Sequence, residues 1–208
     1  MTIVNLNEVF KSAVNDDYAI GAFNVHNLEF VAGVMRAAEA MSSPVIIGIA
    51  TISIDYAGLE PLAAITRDFA ERSHIPTVIH LDHGDDIELV RRSIKLGFSS
   101  VMYDGSKYPI DENIKRTREV VKIAHAEDIS VEGEIGVVGG FEGLDRGDVS
   151  HEQLQALYTR PEEARRFVEE TGVDALAVSV GTVHGMPLQK ADIDFQRLKE
   201  IHEAVDIP

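Results

Sequence analysis

The stretch that decides the fold is TVIHLDHG, residues 77–84. Its first half is apolar and β-branched, which is typical of a buried strand, whereas its second half holds His80, Asp82 and His83. Burial of such groups costs free energy unless hydrogen bonds, a metal ion or a substrate compensate them. The stretch therefore indicates a strand that ends at a functional site.

Similar β-branched runs alternate along the chain with longer segments in which apolar residues recur at helical spacing. The predicted strands are 18–25, 44–50, 77–83, 99–104, 130–136 and 175–181. The predicted helices are 27–41, 59–73, 86–96, 111–128, 161–171 and 194–204, preceded by a short amphipathic helix at the N-terminus. Strands and helices that alternate in this way form parallel βαβ units, so the fold is either a doubly wound sheet or a (β/α) barrel.

Local signals mark the ends of two predicted helices. Gly97 and Gly172 each follow a helical segment shortly before the next strand, as C-terminal capping glycines do. Thr159 and Glu162 have the spacing of a capping box, which predicts that they open the helix at 161–171.

Side chains of metal-ligating and acid/base types stand at or just beyond the carboxyl ends of four successive strands. They are Asp82 and His83, then Asp104, then Glu134, and finally His184. In a parallel barrel these strand ends converge on one face, whereas an open sheet spreads them apart. The pattern favours an α/β fold of the (β/α)8 TIM-barrel type, with about six βα units in one domain, residues 1–208.

The remaining histidines carry weaker signals. His80 lies two residues before Asp82, on the same side of the pleated strand, and is interpreted as a structural residue or as support for the site. His26, at the end of the first strand, stays ambiguous. The others are expected at the surface: His74, His125, His151 and His202.

The connection at 137–160 is long for a loop between a strand and a helix, and long loops over barrel mouths often act as lids. Gly139 and Gly140 would supply hinge freedom, and Glu142 is the carboxylate that such a lid would carry. A solvated acidic loop is the alternative. In GTVHG, residues 181–185, glycines on either side of His184 let backbone amides approach an anion.

Composition and charge exclude several classes of function. The formal net charge of −16 argues against nucleic acid or an anionic membrane as a partner. No run reaches transmembrane length. The chain lacks cysteine, which excludes thiolate metal sites and is compatible with a reducing compartment such as the cytoplasm. A small phosphorylated ligand remains compatible, if a metal or helix N-termini supply local positive potential.

Several motifs together resemble the zinc-dependent class II ketose-bisphosphate aldolases, the family of fructose- and tagatose-bisphosphate aldolases. They are AFNV (22–25), HLDHG (80–84), SSVMYDGS (99–106), EGEIG followed by GGFE (132–142) and TGVDALAVSVGTVHG (171–185). The motifs follow one another in order over essentially the whole chain. This makes the set far more specific than any one member.

The resemblance implies which residues hold metal. His83 and His184 match two ligands of the catalytic Zn²⁺. Asp104 and Glu134 match carboxylates that in this family hold a second or displaced divalent metal ion.

The resemblance also implies which residues act on the substrate. Asp82 matches the residue that exchanges a proton with the C4 oxygen, and Glu142 matches the mobile carboxylate that handles the proton on the dihydroxyacetone phosphate carbon. Gly185 and Asn24 match substrate-binding positions.

The implied activity is reversible aldol cleavage of a ketose 1,6-bisphosphate to dihydroxyacetone phosphate and an aldehyde such as glyceraldehyde 3-phosphate. Cleavage leaves a carbanion next to a carbonyl, and Zn²⁺ stabilises its charge as a Lewis acid. We expect a cytoplasmic enzyme of carbohydrate metabolism that forms a homodimer or homotetramer.

The chain departs from the family pattern at its end. A family member continues past Pro208 into a seventh strand that provides the third zinc histidine, so we expect that the sequence is truncated there. Without that strand, His26 or His80 would have to serve as the third zinc ligand. Departures at 140–143 and 50–58 leave the choice between fructose and tagatose bisphosphate open.

Two other functions stay open on the sequence. A metal-independent Schiff-base aldolase needs a lysine in the pocket, and Lys107, just past the fourth strand, is the best-placed one. A catalytically inactive barrel fragment would act only in zinc binding or assembly.

Overall fold

The structure, a computed structural model, describes residues 2–138, 155, 157–182, 184 and 193–208. Its strands are β1 Gly21–Asn24, β2 Val45–Ala50, β3 Thr77–Gly84, β4 Ser100–Tyr103, β5 Ser130–Ile135 and β6 Ala175–Val178. Its helices are α1 Leu6–Asn15, α2 Leu28–Met41, α3 Thr51–Ala57, α4 Leu59–Arg72, α5 Ile87–Lys95, α6 Ile110–His125, α7 Pro161–Thr171 and α8 Phe195–Ala204. Each strand lies inside its predicted segment, except that β3 extends to Gly84.

Within the described residues, the strands form one sheet in chain order from β1 to β6. The pairs β1–β2, β2–β3 and β3–β4 are parallel, and their register places Asn24, Gly48, His80 and Ser100 in one row across the strands. A doubly wound sheet would instead reverse its strand order at a switch point. The predicted α/β fold of the (β/α) TIM-barrel type, with six βα units in this chain, is confirmed.

The chain divides into two compact units, the first of which comprises Met1–Asp104 and Glu119–Glu132. Its core is built on β2 and β3, where Ile47, Ile79 and Leu81 are fully buried. A capping box opens α1, because the Asn5 side chain accepts from the amide of Glu8 while the Glu8 carboxylate accepts from the amide of Asn5. The predicted amphipathic N-terminal helix is thus confirmed.

The second unit comprises Gly105–Arg118 and Gly133–Pro208. Phe167 on α7 is fully buried and packs against the backbone of β5. A Cβ atom on Gly133 would lie 2.6 Å from the Phe167 ring, so only glycine permits this close approach of helix and strand.

The two predicted capping glycines are confirmed. Gly172 ends α7 in the left-handed conformation, with φ +72°, and Gly97 follows α5 with φ +88°. Both backbone conformations favour glycine because it has no Cβ atom.

The predicted capping box at Thr159 is wrong. The residue before α7 is Arg160, which makes no side-chain capping bond, and Pro161 begins the helix. The Thr159 hydroxyl instead donates to the carbonyl of Ile135 at 2.7 Å and accepts from the amide of Ser179 at 2.9 Å. Thr159 therefore ties together the residues at the ends of β5 and β6, and this buried role competes with helix capping.

A short helix, α3, was not predicted. Its sequence, TISIDYA, is rich in β-branched residues, which lower helix propensity. The sequence of this segment therefore did not indicate a helix. Gly58, with φ +86°, separates it from α4.

Candidate functional site

The carboxyl end of β3 departs from regular strand geometry. Leu81 pairs with Val101 on β4 and Gly84 pairs with Tyr103, so β3 has one residue more than its neighbour between these two pairs. This is a β-bulge, and within it His83 adopts a left-handed backbone conformation with φ +53°. In a regular strand Asp82 and His83 would point to opposite faces.

The bulge brings these neighbouring side chains close to each other. His83 Nε2 lies 4.0 Å from Asp82 Oδ1. The bulge requires glycine at position 84, because a Cβ atom there would lie only 2.8 Å from the backbone oxygen of Met102. The imidazole of His83 and the carboxylate of Asp82 thus share one small region.

His83 is oriented by a second carboxylate. Its Nδ1 lies 3.0 Å from Asp104 Oδ2, and the side chains of both residues are largely buried. Since an ionised carboxylate can only accept, Nδ1 carries the proton in this contact, and the neutral ring then has its lone pair on Nε2. A neutral imidazole with one nitrogen held by a carboxylate is the usual form of a zinc-binding histidine. The arrangement of His83 therefore fits that of a zinc ligand.

Asp82 is held by a residue from β1. The Asn24 side-chain amide donates to Asp82 Oδ2 at 2.8 Å. Gly48 on β2 lies between them in the sheet, and a Cβ atom there would collide with Asn24 Oδ1. The lack of a side chain at Gly48 gives Asn24 the space to reach Asp82.

His80 has a supporting role, consistent with its interpretation from the sequence. It is buried, its Nδ1 lies 2.8 Å from the Ser100 hydroxyl, and its Nε2 lies 3.3 Å from Glu132 Oε2. Both nitrogens are thus engaged, which argues against His80 as a substitute zinc ligand.

The ambiguous His26 pairs with a different residue. Its Nδ1 lies 2.7 Å from the buried hydroxyl of Ser53, and its ring packs edge-on against Phe30. His26 is therefore held by α2 and α3 rather than by the residues around His83.

The predicted residues of the second unit are placed less completely. Glu134 is buried in β5, and its backbone carbonyl accepts from the Asn113 side chain at 2.8 Å. His184 is partly buried. Glu142 and Gly185 lie outside the described residues, as do the predicted hinge glycines and His151.

Lys107, the candidate for Schiff-base chemistry, lies in the second unit. Its ammonium nitrogen is 5.5 Å from the centre of the Tyr108 ring, at a distance typical of a cation–π contact. The Arg116 guanidinium stacks on the same ring at 4.3 Å. One contact of Lys107 is thus with an aromatic ring.

Sequence reasoning missed three parts of the site. It did not predict the left-handed His83, the clearance at Gly48, or the bond from Asn24 to Asp82. In the register Asn24 pairs with Gly48, and Gly48 pairs with His80, which lies two residues before Asp82. This register brings Asn24 near Asp82, and it is not readable from one strand at a time.

Comparison with known families identifies a match over nearly the whole chain. The family Fructose-bisphosphate aldolase class-II matches residues 4–208. In the residues that the structure describes, no helix has the length and apolar character needed to cross a membrane.

Comparison with solved structures agrees in fold. The YdjI aldolase from Escherichia coli K12 is 32% identical, with a TM-score of 0.86 over 99% of this chain. A putative fructose-1,6-biphosphate aldolase from Coccidioides immitis is 33% identical, with a TM-score of 0.83 over 96%. The fructose-bisphosphate aldolase from Campylobacter jejuni, 23% identical with a TM-score of 0.77 over 97%, supports the fold alone. The chain spans 71%, 69% and 65% of these proteins, respectively.

Proposed function

We propose, because the chain belongs to the class-II fructose-bisphosphate aldolase family, that it takes part in the reversible aldol cleavage of a ketose 1,6-bisphosphate. The products would be dihydroxyacetone phosphate and an aldehyde such as glyceraldehyde 3-phosphate. The observation that carries the proposal is the arrangement at the end of β3. There His83, whose Nδ1 is held by Asp104, has its Nε2 4.0 Å from the carboxylate of Asp82.

The metal of this proposal is Zn²⁺, held by His83 and His184, with Asp104 and Glu134 as carboxylates for a second divalent ion. A bound Zn²⁺ supplies Lewis-acid stabilisation of the negative charge that develops when the carbon–carbon bond breaks. Asp104 would hold the His83 ring so that Nε2 is the nitrogen that binds metal. This role of Asp104 in orienting His83 does not require a second metal ion.

Asp82 is the proposed acid/base for the C4 oxygen. In the cleavage direction its carboxylate accepts the proton of the C4 hydroxyl, and in the condensation direction it returns that proton. Glu142 is the proposed carboxylate for the proton on the dihydroxyacetone phosphate carbon. Gly185 is the proposed backbone contact to the same fragment.

The proposal extends to substrate class and assembly. The partner is a small phosphorylated sugar rather than nucleic acid or a membrane, in keeping with the net charge of −16. A homodimer or homotetramer in the cytoplasm is the expected form. Fructose and tagatose 1,6-bisphosphate differ at one stereocentre, so both are tested.

The experiment is cleavage of both bisphosphates by this chain before and after EDTA, with zinc added back. We expect EDTA to abolish cleavage and zinc to restore it. His83→Ala should lose cleavage and zinc binding, whereas His74→Ala, which removes an exposed histidine of the same unit, should retain both.

Two outcomes would overturn the proposal. Cleavage that persists in EDTA and is trapped by borohydride would indicate a Schiff-base lysine. Folded protein that binds zinc but cleaves neither sugar would indicate a catalytically inactive barrel fragment.

A further inference from the structure

We infer that Asn24 is a positioning residue for Asp82 and that it acts by holding one of the two carboxylate oxygens. The inference rests on the proposed function and refines it, because the resemblance assigned Asn24 to substrate binding. The observation behind it is the hydrogen bond of 2.8 Å from the Asn24 side-chain amide to Asp82 Oδ2.

The two oxygens of Asp82 have different surroundings. Oδ2 accepts from Asn24, whereas Oδ1 lies 4.0 Å from Nε2 of His83. Free rotation of the Asp82 carboxylate would exchange the positions of Oδ1 and Oδ2. The Asn24 amide fixes the rotation, so Oδ1 stays on the side of His83 Nε2, where it would exchange the proposed proton with the C4 oxygen.

The hydrogen bond depends on a gap in the strand between the two residues. Gly48 is the β2 partner of Asn24 in the register, and a Cβ atom on it would collide with Asn24 Oδ1. The same Cβ atom would lie 3.7 Å from Asp82 Cβ, an ordinary contact. Gly48→Ala therefore displaces the Asn24 amide without removing any polar group and without crowding Asp82.

The first test separates positioning from substrate binding by two half-reactions. Cleavage requires Asp82, but exchange of the dihydroxyacetone phosphate proton with solvent deuterium requires only the proposed metal and Glu142. We expect Asn24→Ala to lower kcat for cleavage about 10- to 100-fold while KM and the exchange rate stay within about 2-fold. A raised KM together with slower exchange would show a substrate contact and overturn the inference.

The second test is a double-mutant cycle. Gly48→Ala should reduce kcat by a factor similar to that of Asn24→Ala, and the double variant should be no slower than Asn24→Ala alone, because the displaced amide is already absent. The control is Gly33→Ala on α2, where an added Cβ atom meets nothing within 4 Å. If the reduction of kcat in the double variant equals the product of the two single reductions, the inference is contradicted.

The third test does not depend on activity. The side-chain amide signals of Asn24 in a ¹H–¹⁵N spectrum, assigned by their loss in Asn24→Ala, should move in Asp82→Ala and in Gly48→Ala but not in Gly33→Ala. Signals that ignore Asp82→Ala would overturn the inference. If the signals respond but the unmodified chain catalyses neither half-reaction, the proposed function fails while the contact itself stands.

Discussion

Strands β2 and β3 are neighbours in the sheet with similar burial but different roles. All six residues of β2, VIIGIA, are buried, and none carries a polar side chain. β3 begins in the same way and ends with Asp82 and His83 in a bulge. β2 contributes buried apolar side chains to the core and, at Gly48, the space that the Asn24 side chain occupies. β3 contributes the side chains that are proposed to react, Asp82 and His83. Changes in β2 are therefore expected to alter stability or geometry, and changes at the end of β3 to alter activity.

The largest expected effect lies at the end of β3. Asp82→Asn removes the proposed acid/base while keeping its shape, so kcat for cleavage should fall by about 10²- to 10⁴-fold. The melting temperature should change little, since the Asp82 side chain is partly exposed and its Asn replacement can still accept from Asn24. Steady-state kinetics and thermal unfolding of the same samples provide the check. Retained kcat would exclude Asp82 as the acid/base.

A change in β2 is expected to lower stability and to leave activity unchanged. Ile47 is fully buried, so Ile47→Ala should lower the free energy of unfolding by about 2–5 kcal/mol through lost packing and a cavity. Its activity per folded molecule should be unchanged. The control is Ile52→Ala on α3, where the side chain is 67% exposed and the expected change is below about 0.5 kcal/mol. Urea unfolding of both variants measures the difference, and equal losses would show that β2 is not the core strand inferred here.

A smaller effect is expected where β4 meets β3. Asp104→Asn keeps an oxygen that accepts from His83 Nδ1 but removes its charge, so zinc affinity should fall by about 10- to 100-fold. Asp55→Asn, on the exposed surface of α3, should leave affinity unchanged. Isothermal titration with zinc measures both. A loss far beyond this range would indicate that Asp104 binds the metal directly rather than orienting His83.

The same contrast between strands explains what the sequence could predict. Asp82, His83 and Asp104 were found because polar groups stand out at the ends of apolar runs. Gly48 was not, because a glycine inside a buried strand gives no sign of which side chain uses its space. The left-handed His83 was missed because a bulge depends on the register with β4, a contact between segments that are distant in sequence.

The role of Thr159 shows the same limit. Its spacing to Glu162 is that of a capping box, but the hydroxyl bonds to Ile135 and Ser179 instead. A local motif competes with tertiary partners that the local sequence does not reveal, and here the buried partners prevail.

The smallest effect is expected between the helices that follow the two strands. Glu60 on α4 accepts from Arg92 on α5 at 2.7 Å, and this hydrogen bond lowers the pKa of the Glu60 carboxyl. A pKa lowered by folding means that the pair stabilises the protein above the unfolded carboxyl pKa of about 4.3 and loses its effect as the pH falls through the folded pKa. Both side chains are at least half exposed, so the contribution is small. Glu60→Gln should lower the melting temperature slightly at pH 7 and not at an acidic pH below the folded pKa of Glu60. An equal decrease at both values would assign the effect to packing rather than charge.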